Sequence, residues 1–470
     1  MSFEMYNSNK ATSDNSNSID YTPSIESPPK YKQYTEKNYK KIPQVIENFS
    51  DEELFDMDVV AHVLPFKTNN YVVNELIDWS NVRRDPAFVL TFPQKDMLSE
   101  KHFNMMAKAL KESDDKQHIK DVANEIRMQL NPHPAGQKDY NVPVMDNKIV
   151  PGSQHKYNET ILFFPNQSQT CHAYCTFCFR WPQFVVPDLK FATKDIDAII
   201  DYIKEHVEIT DLLFTGGDPM VMSPKIFAKY IDKILEANIP HLKTIRIGTK
   251  SLTYWPYTFI EPGGEIILDA FKKVVDSGIH LSFMAHFNHP NEMKTEALKE
   301  ASKRILATGA NIRTQAPLFN HINANSRVWA EMWKMQVQMG MIPYYMFIAR
   351  DTGAQHFFKV PLEKAWEIFR NAYQDIPGTA RTVRGPVMSC GPGKVQILGV
   401  SEVAGQKVFT CRFIQARNPN WVHRPFFAKY DPEAIWLDDL KPAFEDKFFF
   451  EDELDDIYNE KKELVEAAED

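Results

Sequence analysis

Three of the five cysteines in this chain stand within eight residues, Cys171-His172-Ala173-Tyr174-Cys175-Thr176-Phe177-Cys178, at the spacing C-x3-C-x2-C. Thiolates in such a cluster suit iron–sulfur centres or zinc. A four-iron cubane held by three thiolates keeps one iron without a protein ligand, and that iron can bind a small molecule. The plainer alternative is a structural zinc site in which His172 supplies the fourth ligand. Further along, Thr215-Gly216-Gly217-Asp218-Pro219 forms a turn whose glycines leave backbone amides and carbonyls accessible to a ligand. Taken alone, it is equally an ordinary strand-to-helix connection.

The cysteine spacing followed by this turn resembles the radical S-adenosylmethionine (SAM) superfamily. The resemblance implies a [4Fe-4S] cluster on Cys171, Cys175 and Cys178, with SAM chelated to the open iron and Gly216, Gly217 and Asp218 near its methionyl amino group. Electron transfer from the cluster then breaks the sulfonium bond and yields a 5′-deoxyadenosyl radical. Further motifs narrow the likeness. Phe179-Arg180 continues the cysteine loop, then come Arg246-Ile247-Gly248-Thr249, His286-Phe287-Asn288-His289-Pro290-Asn291-Glu292 and Gln315. This order resembles the lysine 2,3-aminomutase family, with its glutamate- and arginine-acting relatives, from about residue 155 to 394. The resemblance implies that His286, Asn288 and Gln315 lie near SAM or the substrate. Arg180 is the candidate for the substrate carboxylate, because its planar fork offers two parallel hydrogen bonds.

That family also uses pyridoxal phosphate (PLP), bound to a lysine in a glycine-rich turn. Here Cys390-Gly391-Pro392-Gly393-Lys394 precedes an apolar run, which makes Lys394 the candidate, and His155-Lys156-Tyr157 resembles a family motif that puts Tyr157 beside the cofactor. Some positions depart from the pattern. Cys390 and Pro392 stand where the family has glycine, and Thr160 stands where an arginine would meet the PLP phosphate. Only Cys411 lies beyond Cys390, so the family's C-terminal zinc cluster is not expected. In lysine-acting relatives two carboxylates hold the terminal ammonium. The matching positions here lead to Val387 and to Arg350, with Asp351 next and the register open by one residue. An inward Arg350 would leave a lysine ammonium repelled and unpaired, so an acidic or neutral substrate side chain is expected to fit better.

The implied reaction is an isomerisation: the radical removes a hydrogen from the β-carbon of a substrate joined to PLP, and the α-amino group moves to that carbon. The alternatives are a PLP-independent radical SAM epimerase or dehydrogenase, and a non-catalytic zinc-stabilised binding protein. Expected partners are a small amino acid and an electron donor such as a flavodoxin or ferredoxin, with no nucleic acid and no membrane. A homo-oligomer is left open.

These groups need a scaffold. Apolar runs at 161–164, 212–215, 244–247, 281–285, 311–315 and 344–348 alternate with amphipathic stretches such as 194–206, 224–237 and 265–277. The pattern predicts an α/β fold with parallel strands and right-handed crossovers. With the resemblance it becomes a partial (β/α)6 radical SAM barrel, carrying its chemistry on loops after the strands' C-terminal ends. Residues 1–30 read as a disordered leader, 31–154 as a helical N-terminal region with a Pro-rich linker arm, 155–400 as the barrel with the PLP-lysine turn, and 401–470 as a C-terminal extension. The extension ends in an acidic helix at 452–466 whose charges read as a solvated face. Apolar residues at 43% exclude wholesale disorder, and no run reaches the length of a membrane span. A net charge of −9 gives no support to a nucleic-acid surface. The absence of an N-terminal signal pattern and the odd, clustered thiols predict a cytoplasmic protein.

Overall fold

The alternation of apolar runs and amphipathic stretches becomes an α/β structure in a computed structural model, which describes residues 28–131, 140–185 and 191–469. The expected leader up to residue 27 and residues 132–139 of the expected linker lie outside the described residues. One 11-stranded sheet organises the chain, and its spatial order is its sequence order. The strands are β1 (Ser153–Tyr157), β2 (Thr160–Phe163), β3 (Asp211–Phe214), β4 (Thr244–Thr249), β5 (His280–His286), β6 (Asn311–Leu318), β7 (Ile342–Ile348), β8 (Arg384–Ser389), β9 (Gly393–Val403), β10 (Gln406–Ala416) and β11 (Pro425–Lys429). From β2 to β8 every pairing is parallel. β1 and β9 to β11 extend this section antiparallel at its two ends.

The helical N-terminal region contains α1 (Asp51–Val63), α2 (Glu100–Glu112) and α3 (Lys116–Gln129). Six crossover helices join the parallel strands: α4 (Asp197–Glu205), α5 (Pro224–Glu236), α6 (Gly264–Asp276), α7 (Glu296–Ala307), α8 (Ser326–Gln338) and α9 (Leu362–Gln374). Ser223 caps α5, with Pro224 behind it, and Thr295 caps α7; their side chains satisfy amide donors that a helix start leaves free. Sequential strand order with one hand of crossover puts these helices on the same face of the sheet. Leu212, Phe214, Ile245, Ile247, Leu281, Phe283 and Ile312 accordingly join Ile231, Phe271 and Ile305 in the main core. Strand alternation turns Asp211, Arg246, Arg313 and Gln315 to the opposite face.

The parallel section has seven strands where six were expected. The seventh, β8, contains Gly385-Pro386, which interrupts the apolar run and removes a ladder donor; its pairing with β7 is irregular. The sheet is open, since β1 and β11 end it without pairing to each other. Even so, the Lys156 ammonium on β1 donates to the Cys390 carbonyl between β8 and β9, so the two ends of the parallel section face each other across the polar side. The C-terminal extension is a three-stranded antiparallel addition, and β9 runs through the boundary drawn at residue 400. The acidic helix, α10 (Glu451–Glu469), is not a wholly solvated element: Leu454 and Ile457 pack on the core, and Tyr458 stacks on Tyr140 with ring centroids 4.3 Å apart.

The N-terminal helices build a second core with Val59, Val63, Phe103, Met106 and Ile126, which also takes in Trp181, Phe319 and Phe358 from the segments after β2, β6 and β7. They therefore roof the C-terminal ends of the parallel strands. Among the described residues no helix is long and apolar enough to cross a membrane.

Candidate active site

The cysteine loop leaves the C-terminal end of β2 and is held by backbone hydrogen bonds from the N-terminal region. Tyr174 N donates to Lys67 O at 2.8 Å and Thr176 N to Leu90 O at 3.0 Å. Thr176 Oγ1 donates to Val89 O, and Tyr31 and Asn69 both donate to His172 O. Burial pushes the Cys175 thiol up to about 11, Cys178 to about 12 and Cys171 well above the ordinary range. Thiols so reluctant to ionise are poor free nucleophiles. They become thiolates when a cationic centre takes the place of the proton, which fits metal or cluster ligation. His172 is committed elsewhere: its Nδ1 pairs with Ser251 Oγ at 3.1 Å, its Nε2 lies 3.5 Å from Thr258 Oγ1, and burial pushes it down to about 3. The fourth zinc ligand of the plainer reading is thus turned away into protein.

The glycine turn is stitched to this loop. Gly217 N donates to Ser168 O, and Asp218 N lies within 3.0 Å of both Ser168 O and Thr170 O. A Cβ at Gly217 would stand 2.4 Å from Thr170 O, and one at Gly216, where φ is +134°, would stand 2.4 Å from Ser168 Oγ. Asp218 is buried and its carboxylate is consumed internally: Oδ1 accepts from Thr249 Oγ1 at 2.6 Å and from Met220 N, and Oδ2 accepts from Lys250 N. What this turn leaves to a ligand is backbone rather than the Asp218 side chain.

Lys250, which no sequence motif singled out, organises the next wall. Its ammonium donates to Glu292 Oε1 at 2.8 Å, Asn288 Oδ1 at 3.0 Å and the His286 carbonyl. Glu292 in turn receives the amides of Asn288 and His289. The seven-residue block after β5 is therefore folded around a buried ion pair. Among the described residues, His286 Nε2 and Asn288 Nδ2 are buried without a hydrogen-bond partner, as are Arg180 NH1 and Arg350 Nε. Buried polar atoms seldom stay unsatisfied, so these four mark where a polar ligand belongs. Gln315 pairs in register with His286 on the same wall.

Arg180 and Arg350 approach each other across Phe179: their guanidinium carbons lie 5.1 and 5.3 Å from that ring's centroid. Burial, opposed by Cys178 and reinforced by Arg350, pushes Arg180 down to about 10. Burial first, then Arg417, holds Lys156 well below the ordinary ammonium range, and Arg350 and Lys394 add to the depression. Lys394 Nζ donates to Gln415 Oε1 and sits 4.5 Å from the Tyr157 ring centroid. Burial first, then Arg246 and Arg384, push its amine down to about 7. A neutral-leaning amine beside an aromatic face and arginines fits an aldehyde that carries a phosphate. Val387, at the other ammonium-binding position, is fully buried in β8.

The comparisons bear on this arrangement. A provisionally named L-lysine 2,3-aminomutase of Aquifex aeolicus is 29% identical over 395 residues, 84% of this chain and 92% of its own. The relatives found are lysine and glutamate 2,3-aminomutases, and this chain is similar to that family. The L-lysine 2,3-aminomutase of Acetoanaerobium sticklandii is 31% identical over 220 residues, 47% of this chain and 50% of its own, and the glutamate 2,3-aminomutase of Clostridioides difficile is 30% identical over 193 residues, 41% of this chain and 43% of its own. This chain thus spans about half the length of these two relatives. No family model matches. A radical SAM methyltransferase structure from Kitasatospora setae aligns over 40% of this chain and 35% of its own with a TM-score of 0.28 and 12% identity, too slight a likeness to bear on the fold.

Arg180 and Arg350 flank Phe179 beside the cysteine loop, while Tyr157 and Lys394 meet at the Gly-Pro-Gly-Lys turn. Lys250, Arg313, Arg384, Tyr345 and Gln415 belong to the walls but carry no motif. Arg313 and Arg384 left one trace in the sequence: a charged residue within or beside an otherwise apolar strand.

Proposed function

We propose that this chain is a PLP-dependent radical SAM amino acid 2,3-aminomutase, an isomerase whose substrate carries an acidic or neutral side chain rather than a terminal ammonium. The seven parallel strands are read as the open barrel of such enzymes. When bound, a [4Fe-4S] cluster with SAM supplies a carbon radical, and PLP supplies a π-system that stabilises a substrate radical. Cys171, Cys175 and Cys178 would hold the cluster, and Lys394 would hold PLP. Arg180 binds the substrate α-carboxylate through a two-pronged contact. Arg350 holds the far end of the side chain, where a carboxylate gains a charge-assisted bond and an ammonium meets repulsion. The N-terminal roof keeps out water and small reductants, with which a carbon radical would react. Reduction is assigned to a flavodoxin or ferredoxin.

One observation carries the reading: Arg180 and Arg350, each with a buried N–H bond that has no partner among the described residues, lie against the same Phe179 ring beside the loop of three buried thiols. The test is anaerobic reconstitution followed by iron, sulfide and PLP analysis, then assay for 5′-deoxyadenosine and for β-amino acid products. The expected result is one four-iron cluster and one PLP per chain, with SAM cleavage abolished by Ala at any of the three cysteines. A triple-Ala variant that still releases 5′-deoxyadenosine refutes the cluster assignment, and a chain that takes up cluster but no PLP favours the epimerase or dehydrogenase alternative.

A further inference from the structure

Beyond Lys394, away from the cysteine loop, the polar face of the sheet carries three arginines near the entering ends of their strands: Arg246 third in β4, Arg313 third in β6 and Arg384 first in β8. Among the described residues, Arg246 is the only one of the three that pairs with a carboxylate. Asp211 receives its Nε at 2.8 Å and its NH2, and Asp211 also accepts the Thr160 hydroxyl at 2.8 Å, so this acid is fully used. The Arg384 guanidinium carbon lies over two rings, 4.2 Å from the Tyr344 centroid and 4.4 Å from that of Tyr345. Arg313 approaches Tyr344 at 5.3 Å, and Lys394 Nζ lies 5.7 Å from the Tyr345 centroid. The tyrosines thus hold two guanidinium groups in place without neutralising them. Exposed Glu159 and His280 at the rim, with Asp211, complete the titratable surroundings.

Guanidinium groups held by tyrosines that also flank a reactive amine, with no carboxylate partner among the described residues, constitute an anion site. An arginine fork matches phosphate geometry in a way that ammonium does not. We propose that Arg384 and Arg313 bind the phosphate monoester of a PLP attached to Lys394, with Arg246 held at the rim of the same site by Asp211 and Thr160. This rests on reading Lys394 as the PLP lysine. It gives the cofactor a direction: its phosphate lies toward the entering ends of the strands, and its reactive end faces Arg180 and the cysteine loop. It also explains how a threonine is tolerated at position 160, since its hydroxyl serves the acid that restrains Arg246 while the phosphate charge is met from β6 and β8.

The experiment compares PLP with pyridoxal, which has the aldehyde but no phosphate. PLP-free wild type, Arg384→Gln, Arg313→Gln and the double variant are titrated with each at about pH 9, where the Lys394 amine is neutral in all of them, with inorganic phosphate as competitor. Occupancy is read by absorbance of the lysine-bound form and by mass spectrometry of the Lys394 peptide after borohydride reduction. Wild type should prefer PLP strongly, and inorganic phosphate should compete with PLP alone. Each single variant should lose about ten- to hundredfold in PLP affinity, the loss expected for one charge-assisted contact, while pyridoxal binding stays within about twofold. Unchanged pyridoxal binding also reports an intact fold around Lys394, and Arg384→Lys should restore only part of the loss. A double variant that keeps the full PLP preference overturns the inference and leaves Lys394 as the PLP lysine. If neither aldehyde labels Lys394 in wild type, the PLP reading fails first and takes this one with it.

Discussion

The Lys394 amine should titrate near neutrality in the PLP-free protein. Its ordinary value of 10.5 is pushed down to about 7, first by burial and then by the positive charges of Arg246 and Arg384. At pH 7 about half of the amine is then neutral and nucleophilic, against roughly one part in 3,000 for an unshifted lysine, since each unit of pKa is a factor of ten. The sign is fixed by the charge type. Below about pH 7 the amine is protonated and unreactive, and above it reactivity reaches a plateau. Pulse acetylation of PLP-free protein from pH 5 to 10, with quantification of the Lys394 peptide against one containing the exposed Lys299, reads this directly. Arg384→Gln removes one depressing charge and should move the midpoint upward. Linkage provides a second readout. Between the folded value near 7 and the unfolded value near 10.5 the unfolded chain holds more protons at this site, so its contribution to stability rises with pH across that window. A Lys394 labelling curve that coincides with that of Lys299 would refute the electrostatic account of this pocket.

Gly217→Ala should lose bound iron, because its Cβ would fall 2.4 Å from Thr170 O immediately before Cys171; overpacking of this kind costs about 1–3 kcal/mol, and a variant with full iron content and an unchanged melting temperature would contradict the stitching of turn to loop. Glu292→Gln strands the buried Lys250 ammonium and should cost on the order of 3–5 kcal/mol in urea denaturation, with less than additive loss when combined with Lys250→Met; a single-variant loss under about 1 kcal/mol would show that the pair does not hold the wall after β5. Arg350→Ala should reduce turnover of an acidic substrate relative to lysine by at least about tenfold, equivalent to about 1.4 kcal/mol; if lysine is the best substrate of the wild type and the variant leaves its turnover unchanged, the selection argument is wrong.

The sequence by itself determined the groups that are local in the chain. The cysteine triplet, the glycine turn and the Gly-Pro-Gly-Lys turn are each contiguous, so they stand out in the sequence, although the roles given to the two turns came from the family resemblance and not from residue type and spacing alone. Period-two and helical patterns likewise disclosed six of the seven parallel strands to within a few residues, because each strand buries one apolar face against helices. Strand β8 escaped because Gly385 and Pro386 erase that pattern while the neighbouring strand still supplies a ladder. Everything that depends on contact between distant segments was decided by the tertiary structure. His172 became a satisfied histidine when Ser251 and Thr258 arrived beside it, 79 and 86 residues away. Lys250 and Glu292 meet only when β4 and β5 lie side by side, and Arg350 reaches Arg180 only after β7 takes its place in the sheet. Arg246, Arg313 and Arg384 show the same limit. Each reads in its own strand as an isolated charge, and only the alternation and stagger of parallel strands gather their charges at one end of the polar face.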